Sequence, residues 1–136
     1  MDTAIPPETV AAYLAADFIV DADPSFVMHI GQRCDAIAAL GASCCAFITA
    51  CNPLGEPADA AINEQRQAAF AQTLTERGLT YRTGAGCDPK EEWPCEPSFL
   101  ILDLPLAEAK TMGQTLKQNA IVWCGADLVP QLILLR

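Results

Sequence analysis

Cys44-Cys45-Ala46-Phe47-Ile48-Thr49-Ala50 is a run in which apolar side chains follow one another without the alternation of a half-wet strand. A run this short and this apolar reads as a strand whose two faces are both covered. Whatever surrounds it must supply the covering layers.

Upstream, residues 32–40 read as a helix with Cys34, Ile37, Ala38 and Leu40 on its inner face and Gly41 as its stop. Before it, residues 17–20 and 26–30 are two apolar segments parted by Asp21, Asp23 and Pro24, the pattern of a hairpin. Pro6-Pro7-Glu8 opens a short helix through Val10, Tyr13 and Leu14, since proline loses nothing in a first turn.

Downstream, residues 57–77 form a long helix. Stepping it at 100° places Ile62, Ala69, Phe70 and Leu74 on the apolar arc and Glu64, Gln65, Gln67 and Gln72 on the polar face. Asn63 and Arg66 fall inside the apolar arc, where an amide and a guanidinium need partners, because an unpaired buried polar group costs several kcal/mol. Residues 79–83 read as a strand, and Gly84-Ala85-Gly86 opens an irregular loop through residue 92. Glu96-Pro97-Ser98 leads into a strand over 99–102, and Asp103 with Pro105 starts a helix carrying Leu106, Ala109, Met112 or Gly113, and Leu116 inward. Strands over 120–124 and 131–135 follow. The order α β β α β α β β α β β, with short connections, predicts one α+β domain over residues 1–136: a mixed β-sheet with three to four helices packed on it.

The composition narrows the function classes. With 136 residues, 51% of them apolar and a net charge of −9, the chain is a packed globule whose field repels nucleic acid and anionic membranes. Its basic residues are scattered and make no phosphate-binding stripe. The apolar window over 36–50 is too short to cross a bilayer. The N-terminal residues lack the pattern of an export signal, so a cytoplasmic location is expected. Seven cysteines contain no Cys-x-x-Cys pair, and they read as reduced core thiols rather than a disulfide framework or a zinc site. No metal is expected, and the residues name no cofactor.

Four blocks carry a resemblance: Phe47-Ile48-Thr49-Ala50-Cys51-Asn52-Pro53, then Asn63 with Arg66, then Trp93-Pro94-Cys95-Glu96-Pro97-Ser98-Phe99, then Gln118-Asn119-Ala120-Ile121-Val122. In this order they resemble the bacterial domain-of-unknown-function family 3293. The resemblance implies a small stand-alone cytoplasmic protein, brings no assigned activity, and matches Thr49, Asn52, Asn63, Glu96, Ser98, Gln118 and Asn119 to the family's motif positions. The chain departs at Cys51, where the family usually shows an aromatic residue, which argues against a catalytic thiol there.

The residues themselves point to a similar set. Thr49 and Asn52 lie where a core strand ends, Glu96 and Ser98 where a loop enters a strand, and Gln118 and Asn119 where a helix hands over to a strand. A rigid scaffold commonly presents its chemistry at such ends. If they converge on the side of Asn63 and Arg66, the product is a pocket for a small polar or anionic ligand, with Arg66 as anion clamp and Glu96 as orienting partner or catalytic acid or base. Each residue also has a structural duty: Asn52-Pro53 starts a turn, Glu96 pairs Arg66, Ser98 caps a strand end, and Gln118 and Asn119 tie off helix carbonyls. His29 reads as a hairpin-face residue, and Trp93 and Trp123 as core or pocket-wall aromatics. Dinucleotide, phosphate-loop and nucleophile-elbow signatures are missing. Two functions stay open: a small-molecule-binding protein or enzyme, and a protein-interaction or regulatory module whose acidic surface meets a basic partner while the polar cluster only holds the fold.

Overall fold

The computed structural model describes residues 3–136. Helix α1 (Pro7–Ala15) begins directly at proline. Strands β1 (Asp17–Val20) and β2 (Phe26–Met28) pair as the expected hairpin. After a 3-10 turn (Asp35–Leu40) come β3 (Cys45–Ile48), α2 (Ala60–Glu76), β4 (Tyr81–Cys87), β5 (Glu96–Leu102), α3 (Leu106–Thr115), β6 (Ala120–Cys124) and β7 (Gln131–Leu134). Asp59 caps α2 by accepting the Ala61 N–H at 2.9 Å.

The seven strands make one sheet in the order β2-β1-β4-β5-β3-β6-β7. The α+β class holds, but every neighbouring pair is antiparallel, in place of the mixed sheet that the element order predicts. The reason is interlocking. The crossover from β3 through α2 to β4 leaves room for β5 between its two strands, and the crossover from β5 through α3 to β6 leaves room for β3. Parallel strands are therefore never adjacent. The β3-α2-β4-β5-α3-β6 unit is a split β-α-β arrangement of the ferredoxin-like kind. The β1-β2 hairpin extends one edge and β7 the other.

All four residues of β3 are buried, which is what its apolar run requires. Pleating sends Ala46 and Ile48, with Phe99, Ile101 and Ile121, to the face packed under Phe70 and Leu74 of α2 and Ala109 and Met112 of α3. Cys45 and Phe47, with Phe18, Val20, Leu100, Leu102 and Val122, go to the opposite face, which the 3-10 turn covers through Ile37. Leu100 and Ile101 are fully enclosed, and truncating either to alanine would cost about 2–5 kcal/mol.

Several local expectations shift. The helix expected over 32–40 is the shorter 3-10 turn, closed by Gly41 in the left-handed region as foreseen. The supposed loop from Gly84 is the continuation of β4, which pairs along β1 through Gly84 and Gly86, with Gly84 lying close against the β1 backbone. A Cβ on Gly84 would collide with the Ile19 carbonyl oxygen. The buried stripe of α2 runs through Gln67, Phe70 and Leu74, flanked by half-buried Asn63, while Ile62 and Arg66 are exposed. Ile62 therefore misplaces the apolar arc by about one residue.

The thiols divide. Gly86 pairs with Glu96 across the β4–β5 ladder, so Cys87 and Cys95 stand at the next opposed position with Cα atoms 4.3 Å apart, and they form a disulfide. This corrects the expectation of seven reduced thiols, since the hairpin register closes an eight-residue spacing that looks unremarkable in sequence. Cys34, Cys44, Cys45, Cys51 and Cys124 are free, and burial pushes Cys45 up to about 12 and Cys124 up to about 11.

Candidate functional site

The face away from α2 and α3 is incompletely filled. Between it and α1 lies a cavity of about 420 Å³. Phe18, Gly86, Glu96, Ser98, Phe47 and Thr49 contribute its floor, all from the same side of the pleat. The roof is α1, through Glu8, Thr9, Ala12 and Tyr13, and none of that helix's nine residues is buried. Trp93 and Pro94, from the disulfide-closed turn between β4 and β5, make one wall, and Asn52 and Gln118 reach another.

Five of the eight residues singled out from sequence thus meet at one cavity: Thr49, Asn52, Glu96, Ser98 and Gln118. Asn63 stands behind them. Its Oδ1 accepts the Asn52 N–H at 3.0 Å, and its Nδ2 donates to Asn52 Oδ1 at 2.8 Å. Asn52 sits in the left-handed region, with φ of 47°, and its Oδ1 also accepts the Ala58 N–H at 2.9 Å. The remaining arm of Asn52, Nδ2, donates to Glu96 Oε2 at 2.7 Å. The first full turn of α2 therefore sets the position of a carboxylate on β5.

The other cavity residues have backbone partners. Thr49 Oγ1 donates to the Pro97 carbonyl at 2.7 Å and accepts the Cys51 N–H at 3.0 Å. Ser98 Oγ donates to the Glu96 carbonyl at 3.0 Å, and Gln118 Nε2 to the Cys51 carbonyl at 3.0 Å. Asn119 is buried and holds the roof: its Nδ2 donates to the Tyr13 hydroxyl at 3.2 Å and its Oδ1 accepts from Arg136 at 2.6 Å.

Arg66 does not join them. It is exposed and lines a separate groove of about 700 Å³ between α2 and α3, with Arg77, Lys117 and Glu108. Among the described residues Glu96 has no cationic partner, so the ion pair expected between positions 66 and 96 is absent. Arg66 missed the cavity because the stripe of α2 that meets the sheet is turned toward Asn63 and Gln67. Burial raises the Glu96 carboxyl above its ordinary range, and the Asn52 hydrogen bond only partly offsets this. Burial likewise raises the Cys51 thiol. His29 lies outside the cavity, with Nε2 2.8 Å from Asp17 Oδ1, and Trp123 donates to the Leu104 carbonyl at 2.9 Å.

Sequence reasoning missed Gln67, assigned to the polar face yet buried, with Oε1 accepting the Ala50 N–H at 3.0 Å at the root of the Asn52 loop. Its spacing to Phe70 and Leu74, three and seven residues on, was the available signal. Glu8 and Tyr13 were missed because nothing local ties α1 to a strand more than thirty residues away. Among the described residues no three His, Cys, Asp or Glu side chains gather as metal ligands, and no helix is long and apolar enough to cross a membrane.

No curated protein and no solved structure matches the chain. A family model described as "Protein of unknown function (DUF3293)" matches residues 48–121, more than half of the chain. The match runs from the end of β3 into β6 and contains Thr49, Asn52, Asn63, Arg66, Glu96, Ser98, Gln118 and Asn119, while the α1 roof lies outside it. On that match, the chain belongs to the DUF3293 family.

Proposed function

We propose that the protein is a small-molecule-binding protein or enzyme whose site is the cavity under α1, organised around Glu96. One observation carries this reading. Glu96 is a half-buried carboxylate on the cavity floor, fixed by one hydrogen bond from Asn52 and opposed by no cation among the described residues. A carboxylate that served only the fold would be expected to have a paired charge, because its desolvation is otherwise uncompensated. Thr49, Ser98, Asn63 and Gln118 spend hydrogen bonds on backbone or on Asn52, and they act as supports that hold Glu96 and Asn52 in place.

The cavity is within the size range of small-ligand sites. Its ligand is small and polar at one end, and Glu96 is the group assigned to orient it and to exchange a proton with it if it is transformed. A raised carboxyl pKa suits that task better than an exposed, freely ionised acid. Arg66, the clamp that an anionic ligand would need, lines the other groove, so the ligand in this reading is not selected for negative charge. The setting proposed is the cytoplasm, where the five free thiols stay reduced; the Cys87–Cys95 bridge weighs the other way, and a thiol count on protein alkylated at cell lysis decides between them.

Isothermal titration and thermal shift with a library of amines, alcohols, sugars and carboxylates test the reading. A true ligand at a hundred times its dissociation constant adds about 2.7 kcal/mol of stability, and Glu96→Gln should abolish that gain while the variant stays folded. If Glu96→Gln instead unfolds the protein and every compound leaves the melting temperature unchanged, the polar cluster is structural and the protein-interaction reading takes over.

A further inference from the structure

We infer that the cavity under α1 selects an organic ammonium ion, a protonated amine carried on a small apolar body. The inference rests on the reading of that cavity as a ligand site and concerns which ligand it takes.

The charges on its lining are all of one sign. Glu8 on the roof and Glu96 on the floor are carboxylates, and no Lys, Arg or His is among the described residues that line it. The whole chain carries −9, so its field reinforces the local one. An anion entering this space meets repulsion with nothing to answer it. A neutral apolar ligand would seal Glu96 from water while its second oxygen takes no hydrogen bond from the described residues, and such a buried charge is costly. A cation removes that cost by pairing with the carboxylate.

The rest of the lining agrees from an independent direction. Tyr13, Phe18, Phe47 and Trp93 border the cavity, four of the nine aromatic residues in the chain. Aromatic faces carry negative charge density, and they accept both a cation and the alkyl or aryl carbons attached to it. Phe18 packs edge-to-face on Phe47 in the floor, with centroids 5.3 Å apart. A carboxylate beside several rings in a space of about 420 Å³ fits an amine with a compact hydrocarbon body. A metal ion would gain little from these rings, and a sugar's hydroxyls could hydrogen-bond to Glu96 but would leave its charge uncompensated.

The test compares three nearly isosteric probes, benzylamine, benzyl alcohol and benzoate, by chemical-shift perturbation at pH 7.5, with choline as a fourth. Benzylamine should bind at least tenfold more tightly than benzyl alcohol, benzoate should not bind, and Glu96→Gln should erase the amine's advantage over the alcohol. Gly86→Leu provides a second variant. Its position has ordinary backbone and only the Phe18 ring at 3.7 Å, so the added side chain projects into the cavity and should block every probe in a protein that still folds. If benzyl alcohol binds as well as benzylamine and Gly86→Leu blocks both, the ammonium inference falls and the cavity reading stands. If benzoate is preferred, the inference falls in the same way. If no probe perturbs resonances of the cavity residues, both are overturned.

Discussion

Asn52 reaches across 44 positions of sequence to hold Glu96, its Nδ2 donating to Oε2 at 2.7 Å, while its own Oδ1 is fixed by Asn63 and by the backbone of Ala58. Three elements, the loop after β3, the first turn of α2 and the start of β5, are tied through this one amide. The carboxylate is positioned by side chains that are themselves held, which is the arrangement that keeps a site rigid.

Asn52→Ala should therefore destabilise the protein by about 1.5–4.5 kcal/mol in urea titration, since three side-chain hydrogen bonds are lost at about 0.5–1.5 kcal/mol each. Alanine also tolerates the left-handed backbone poorly. Asn52→Gly, which relieves the backbone, should recover part of the loss. Equal stability of wild type and alanine variant would mean that the network contributes nothing.

Glu96 makes stability depend on pH with a definite sign. Its carboxyl is raised in the folded protein, so between the unfolded pKa of about 4.3 and the higher folded value the native state holds more protons than the unfolded one. Stability from this group is present in acid and declines as pH rises through that window. Glu96→Gln removes the penalty, and urea midpoints measured from pH 4.5 to 7.5 should show the variant gaining on wild type toward neutral pH. A variant that loses ground as pH rises would contradict the raised pKa.

Arg66→Ala should leave stability within about 0.5 kcal/mol, because the side chain is exposed and, among the described residues, no ion pair or side-chain hydrogen bond holds it. Binding in the cavity under α1 should be unchanged. A large loss of either would restore Arg66 to the site.

The buried thiols should resist alkylation. Iodoacetamide at pH 8 applied to the native protein should leave Cys45, Cys51 and Cys124 unmodified, since burial raises all three, and intact mass should show no more than two adducts, on Cys34 and Cys44. In denaturant all five free thiols should react.

Replacing Cys87 and Cys95 by serine should cost roughly 2–3 kcal/mol in the chain-entropy account of a short closed loop. Because Trp93 belongs to that loop and to the cavity wall, its fluorescence should shift together with the loss. A reductant added to wild type should reproduce both changes. An unchanged spectrum and melting temperature would show that the bridge constrains nothing.

Much of this was legible locally. The unbroken apolar run of β3, the hairpin of β1 and β2, the proline starts and the glycine stops are properties of neighbouring residues, and the described elements follow them. The polar residues at element ends were legible for the same reason, being residue types that a core would not select. Asn63 was rightly read as facing inward, whereas Arg66, three residues along the same helix, was not, because a single misjudged Ile62 turned the arc.

What only the tertiary structure decided is the pairing. Whether β5 lies between β3 and β4, whether Cys87 faces Cys95, and which charges surround Glu96 all depend on strand register and on the order in which crossovers interlock. These are relations between segments tens of residues apart, set by the joint packing of two sheet faces, and no local period or propensity encodes them. The amino acids determined that a carboxylate would stand at the head of β5; the fold decided that it would face a cavity with no cation among the described residues to meet it.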